Sequence, residues 1–495
     1  VAKCQDLALL ALLDEEPEGE ESEAEEGEPP LGASSPDATA LRRGVSVAPR
    51  FTMRDVASSP RKPAQPTSLN DNSHASIRAR FLLLKEWNKA VKPVLDLIDL
   101  RPQLKEGHVA HRLCVSKGRL LPSYKEEIIG QALQLTKSTG SVPNLNMTVP
   151  LPGSKEAETH VGVFEEFYSQ IHGKHSLRAA RGGGSETQLW KVRMHGAGAT
   201  ALWTDQQDAG GMYRASVGQL CEHLQRPPSG VEAAPLLEQT RNFAMGLGEG
   251  DDAMERWLPN PALSVGDEGL LKKFEFIGQL MGASCRTSGF IEIDFAPIVF
   301  KQILGERATY HDIAACDARA AAPLASAATE MTEEAWAEQQ ASDSRTYWMV
   351  QLASGRAASL RGDGKVPVGY SERQEFVEKA TAAWLAPFVP FFKAVRRGFF
   401  ETFPELASRL LTWRELERRV CGFPDVSVEA LQRIARFEGS YNASDEYMKD
   451  FFGVLRGFSG AERKQFLGFV WGRGRLPAHP TQCAQPFPAQ SVTCH

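Results

Sequence analysis

The amino-acid sequence predicts an α+β protein, and three observations carry that reading. Leu189-Trp190-Lys191-Val192-Arg193-Met194 alternates with the period of a strand. Helical texture follows near Leu270–Cys285, Glu375–Ala386, Phe391–Phe400 and Ala461–Val470. No internal repeat of fixed period runs through the chain, which excludes a solenoid and leaves one mixed α+β unit in this region.

A chain of 495 residues has room for about three units of about 150 residues each. Its apolar share of 42% and charged share of 24% are those of an ordinary globular protein. The apolar run Leu7–Leu13 is far shorter than the ~20 residues that span a bilayer, so no membrane span is expected. The run also lacks a basic flank and a small-residue cleavage site, and the first residue is Val1, so the chain reads as a piece of a longer polypeptide.

Ten acidic residues and no basic one lie between Asp14 and Glu28, so that run more than accounts for the net charge of -6, and the remainder, at +4, is close to neutral. A nucleic-acid partner, which needs a concentrated basic face, is therefore not expected. The eight cysteines form no CxxC pair and no dense framework. A structural zinc site and a secreted disulfide scaffold are both disfavoured. A reducing compartment is expected, the cytoplasm with the nucleus as an alternative.

Taken in order, residues 1–76 are acidic and then rich in Pro, Ser, Ala and Asn, with too little apolar content to offset the entropy of ordering. They are expected to be mostly disordered. Residues 77–140 are expected to be helical. Ile77, Phe81, Leu84, Trp87, Val91, Val94, Leu95 and Ile98 recur at helical spacing, bent or broken at Pro93, and a second helix covers Tyr124–Leu135. Gly140–Ser154 reads as a linker rich in Pro, Gly and Asn, and 141–188 as linker and flanking segment, with Arg181-Gly182-Gly183-Gly184-Ser185 as punctuation. Asp317–Gln340 should be helical in pieces, interrupted at Pro323.

Several short patterns fit bland readings. Gly246-Leu247-Gly248-Glu249-Gly250 has no strand leading into it and acidic neighbours, so it reads as a loop and not as a phosphate cradle. Gly362-Asp363-Gly364-Lys365 lacks the first glycine and the Ser or Thr of a Walker loop and reads as a turn between strands. The eleven histidines form no HxxxH or HxH pair with a nearby carboxylate, so no metal site is expected. Asn146-Met147-Thr148 and Asn442-Ala443-Ser444 match the glycosylation sequon, a triplet common by chance.

The end of the chain carries more information. Leu411-Thr412-Trp413-Arg414-Glu415-Leu416-Glu417 runs to Val420-Cys421-Gly422, and Phe458-Ser459-Gly460-Ala461-Glu462-Arg463 leads into Phe466-Leu467-Gly468-Phe469-Val470-Trp471-Gly472-Arg473-Gly474-Arg475-Leu476-Pro477. Ahead of these stand Asp208-Ala209-Gly210-Gly211 with Arg214, Arg256-Trp257-Leu258-Pro259-Asn260-Pro261, Phe274–Gly282, Ile303-Leu304-Gly305-Glu306, Arg373 with Phe376-Val377, and Phe392–Phe399. Together, over about Leu189 to Arg475, these blocks resemble the HECT family of ubiquitin ligases, in particular its HERC-like branch. Ile77–Leu84 is similar to the helix that precedes the domain in that branch.

The resemblance implies a bilobal domain, with a mainly helical N-lobe over 189–438 and a small α/β C-lobe over 439–495. It implies an E3 ubiquitin transferase, working with an E2 ubiquitin-conjugating enzyme, ubiquitin and protein substrates. Ubiquitin would pass as a thioester from the E2 to a ligase cysteine and then to substrate lysines, chemistry that needs a thiolate and no metal or organic cofactor. Thr493-Cys494 after Pro488-Ala489-Gln490-Ser491-Val492 resembles the family's nucleophile motif, so Cys494 is the expected catalytic residue, with Cys483 as the weaker alternative. His495 beside Cys494 could stabilise its thiolate. Phe392 matches the position of an E2-binding aromatic, and Gly439 and Ser440 the hinge between the lobes. Sixteen residues separate Pro477 from Cys494, fewer than the family uses, so the C-lobe is expected to be incomplete. A catalytically silent scaffold that binds E2 or ubiquitin is the alternative function, and a cysteine hydrolase is disfavoured because no His and acid partner is identifiable.

Overall fold

The computed structural model describes residues 74–95, 111, 114–138, 142–150, 154–155, 158, 160–178, 188–195, 211–228, 234–247, 254–287, 291–342, 344–423, 426–436, 442, 444–471, 474–476 and 487–488. They fall into two bodies, residues 1–96 with 119–121, and residues 97–118 with 122–495. The acidic run at 14–28 lies outside the described residues.

In the first body, α1 (His74–Leu95) runs through Pro93 to its last turn, so the expected break is absent. A proline there forfeits a hydrogen bond only where the helix is about to end. Asn88 is buried and fully used. Its amide donates to Leu84 O and Arg119 O, and its carbonyl accepts the Leu121 N–H at 2.8 Å.

In the second body, α2 (Pro122–Leu135) covers the expected second helix. The segment read as a linker then contributes to the core. It holds strand β1 (Asn144–Thr148), which buries Leu145 and Met147 and turns Asn144 and Asn146 outward. Helix α3 (Val163–Ile171) follows, with Val163, Phe164, Phe167 and Ile171 buried. Strand β2 (Lys191–His195) pairs with β1 in parallel, Leu145 opposite Val192 and Met147 opposite Met194. Side chains of α3 bond the backbone of β1: the Gln170 amide both donates to Asn146 O and accepts Asn146 N–H at 2.8 Å, and Glu166 accepts Thr148 N–H.

Helices α4 (Gly211–Gln225) and α5 (Arg241–Ala244) and the antiparallel pair β3 (Leu237–Gln239) and β4 (Trp257–Pro259) lead into α6 (Glu268–Ser284), which Asp267 caps through Gly269 N–H and Leu270 N–H. After α7 (Pro297–Leu304) and α8 (Tyr310–Ala314), α9 (Ala318–Ala328) carries Pro323 inside it without ending there. Helix α10 (Glu333–Ala341) leads to the hairpin β5 (Met349–Gln351) and β6 (Ala357–Ser359). Gly362 and Gly364 hold positive φ in the turn that follows, as that glycine-rich stretch requires.

Helix α11 (Arg373–Leu385) precedes α12 (Val389–Thr402), which crosses α6 with backbones in contact. A Cβ on Gly278 would come 2.0 Å from Val395 O, and one on Gly398 would come 1.8 Å from Glu275 O. Only glycine permits that approach, and the Phe274 and Phe391 rings close the seam at 4.6 Å. Helices α13 (Glu405–Ser408) and α14 (Trp413–Cys421) complete this first core, whose last buried member is Cys421.

A second, smaller core begins at Val426. It gathers Val428 and Leu431 of α15 (Val428–Ile434), Met448, Phe452 and Leu455 of α16 (Glu446–Gly457), Leu467 of α17 (Gly460–Trp471), and Leu476. The two-residue strands β7 (Ala435–Arg436) and β8 (Phe487–Pro488) pair in parallel. The protein is thus α+β, mainly helical with short sheets, and has two cores. The change of core falls between Cys421 and Val426, ahead of the boundary expected at 438/439, because α15 already packs with the second core.

Candidate functional site

The chain passes from one core to the other at the end of α14, a helix held with unusual firmness. Thr412 and Glu415 form a capping box at its start, with Thr412 N–H donating to Glu415 at 2.8 Å. Lys125 of α2 donates to both Glu415 oxygens at 2.7 Å, and Arg419 pairs with Glu126 of the same helix. Arg256 bonds Glu417 at 2.7 Å. The helix then stops at Gly422, whose φ of 69° admits glycine at little cost. What α14 delivers is a fixed end of the first core followed at once by a residue of wide backbone freedom.

The expected hinge residues Gly439 and Ser440 lie outside the described residues, as do Cys494, His495 and the alternative Cys483. Of the described cysteines, Cys221, Cys285, Cys316 and Cys421 are buried and Cys114 is half-buried, and none of the five is in a disulfide. Burial pushes the Cys221 and Cys285 thiols up to about 12 and the Cys421 thiol well above its ordinary value. Half-burial also raises Cys114 against the opposing pull of Arg409 and Lys117. A thiol whose pKa is raised is a poor source of the thiolate that attacks a thioester. Among the described residues no group of three or more His, Cys, Asp or Glu side chains converges to hold a metal ion.

Phe392, the expected docking aromatic, is 4% exposed. Its ring stacks on Phe388 at 5.7 Å, and Phe388 packs on Trp384 at 5.2 Å. The side chain fills the core at the start of α12 and offers a partner little surface. An apolar surface the sequence reading did not single out lies at the β5–β6 hairpin. Tyr347, Met349 and Val366 expose 38%, 40% and 43% of their surface, while Trp348 and Val350 between them are buried. Trp348 N–H donates to Val366 O at 3.0 Å, which brings the three together. The alternation Tyr347-Trp348-Met349-Val350 is the signal that could have found this surface.

The chain matches the model of the family described as HECT-domain (ubiquitin-transferase) over residues 236–494. It is similar to the E3 ubiquitin-protein ligase HERC2 of Mus musculus, 29% identical over 409 residues, covering 81% of this chain and 8% of that protein. The Homo sapiens HERC2 gives the same identity and coverage. The E3 ubiquitin-protein ligase UPL1 of Arabidopsis thaliana is 24% identical over 234 residues, 46% of this chain and 6% of that protein. The chain thus spans less than a tenth of the length of these relatives.

Proposed function

This chain belongs to the HECT-domain (ubiquitin-transferase) family, and from that premise we propose that it acts as an E3 ubiquitin transferase through a cysteine thioester. The family match, which reaches Cys494, is the observation that carries the proposal. The Cys494 thiolate attacks the carbonyl carbon of the ubiquitin thioester on an E2. A new carbon–sulfur bond forms, the E2 carbon–sulfur bond breaks, and the E2 cysteine leaves as a thiolate. The neutral amine of a substrate lysine then attacks the same carbon, loses a proton to solvent and expels the Cys494 thiolate. One thioester replaces another in the first step, so it proceeds near thermoneutrality.

The buried, high-pKa thiols of the first core support assigning the nucleophile elsewhere. The exposed corner of Tyr347, Met349 and Val366 supports docking of the E2 there, with the buried Trp348 packed on Phe376 of α11 at 5.7 Å. The division of cores supports a pivot at Gly422, ahead of the expected Gly439 and Ser440. Among the described residues no helix is long and apolar enough to cross a membrane. The absence of a disulfide among the described cysteines fits a reducing setting, cytoplasm or nucleus.

The test is incubation of the chain with E1, an E2 and ubiquitin, followed by a non-reducing gel. A thiol-sensitive ubiquitin adduct should form and vanish in Cys494→Ala. An adduct that survives Cys494→Ala but is lost in Cys483→Ala moves the site. No adduct with any of a panel of E2 enzymes overturns the transferase reading.

A further inference from the structure

Among the described residues the backbone leaves the first core at Cys421 and enters the second at Val426, yet the second core is fastened to the first at another place, far along the chain. Leu476 is buried in the second core and forms an antiparallel bridge with Phe423, Phe423 N–H to Leu476 O at 2.7 Å and Leu476 N–H to Phe423 O at 3.1 Å. The residue before it, Arg475, sends its side chain in the other direction. Its Nη1 and Nη2 grip the Asp294 carboxylate at 3.0 and 2.6 Å, and Nη1 also donates to Cys421 O at 3.3 Å. Gly474 N–H donates to the Glu292 carboxylate at 3.3 Å. The Arg475 side chain is only 7% exposed, so this paired fork is screened from water and salt.

The receiving surface is rigid. Asp294 O accepts Trp257 N–H from β4 at 2.8 Å, Ala296 N–H donates to Trp257 O at 2.9 Å, and Ile291 N–H donates to Val420 O of α14 at 2.8 Å. Residues 291–296 are therefore tied both to a strand of the first core and to the helix that leads to Gly422. A body held by one flexible link can turn about any axis, whereas one held at two neighbouring points can swing only about the line between them. We infer that Arg475 is a positioning residue, which, by gripping Asp294 beside Gly422, restricts the smaller core to one axis of swing during ubiquitin transfer. This rests on the transferase reading for its purpose, though the restraint itself can be measured without activity.

The experiment places nitroxide labels at Val265→Cys in the first core and Val454→Cys in the second, both exposed positions, with other accessible thiols replaced, and reads their distance distribution by double electron–electron resonance. Arg475→Gln and, separately, Asp294→Asn should at least double the width of the distribution. The exchanged pair Arg475→Asp with Asp294→Arg should narrow it again. In E2-to-chain transfer, the single variants should lower the maximal rate at least fivefold with the half-saturating E2 concentration unchanged. If both single variants keep the wild-type width while remaining folded by thermal melting, the restraint is refuted. If widths change as expected but the wild type accepts no ubiquitin, the restraint stands and the transferase reading falls.

Discussion

Lys125 Nζ stands 2.7 Å from both oxygens of the Glu415 carboxylate, with only 2% of the Lys125 side chain exposed. The two partners are unequal. Without the lysine, Glu415 keeps its own cap bonds to Thr412 and partial contact with water, whereas without the carboxylate a buried ammonium is left unpaired. Burial lowers the Lys125 pKa, and Glu415 opposes that shift. Glu415→Ala should therefore cost about 3–5 kcal/mol, and Lys125→Met, which fills the same space without a charge, less than half of that. Urea unfolding of both variants checks the order, and a larger loss in Lys125→Met contradicts it.

Phe392 and the hairpin corner separate packing from docking. Phe392→Ala should destabilise the protein by about 3–5 kcal/mol, as expected for emptying a buried aromatic site. Tyr347→Ala should leave the melting temperature unchanged and weaken E2 binding by about 2 kcal/mol. Calorimetric titration beside thermal melting distinguishes the two. Weak E2 binding in a fully stable Phe392→Ala protein would return the docking role to that residue.

The α6–α12 seam predicts a severe response to one methyl group. The added carbon of Gly398→Ala meets backbone, which cannot rotate away as a side chain can. A loss of about 3 kcal/mol is expected, at the upper end for overpacked sites. Gly218→Ala, in open space on α4, should be neutral or slightly stabilising. Denaturant midpoints of the pair test the contrast, and equal midpoints would dissolve it.

His223 makes stability depend on pH. Its Nδ1 accepts the Val163 N–H at 2.9 Å, a bond that protonation at Nδ1 abolishes. Burial, and then the neighbouring His160, hold the His223 pKa below 6.5, against the weaker pull of Glu222 and Glu166. Between that lowered value and 6.5 the unfolded chain binds more protons than the folded one, so stability falls as pH drops through this window. Melting curves from about pH 7 to about pH 5 should show the fall, and His223→Asn, which keeps an acceptor but does not titrate, should flatten it. An unchanged slope in that variant removes the assignment.

How much of this was legible depended on what each residue had to reveal. Apolar spacing places α6 at Leu270–Cys285 in the sequence, and the helix spans Glu268–Ser284. Strand β1 is hidden because only Leu145 and Met147 alternate, amid Asn, Pro and Gly that signal a loop. Pro323 reads as a break, but it sits where α9 tolerates one missing donor. Phe392 lies among Phe388, Phe391 and Phe399, and aromatic spacing alone cannot tell a core position from a docking one. Nor does periodicity say to which of two cores Val428 and Leu431 belong, which is why the change of core lies earlier than expected.

The clasp between α2 and α14 joins residues 290 positions apart. Ribosomes add about 5–20 residues per second, so about 15–60 seconds separate the addition of Lys125 from that of Glu415. For most of that interval Ile129 lacks much of the core that buries it, and Gly278 lacks Gly398. The nascent chain must be kept from aggregating until Glu415 has been made, and the larger core closes only once α14 is in place.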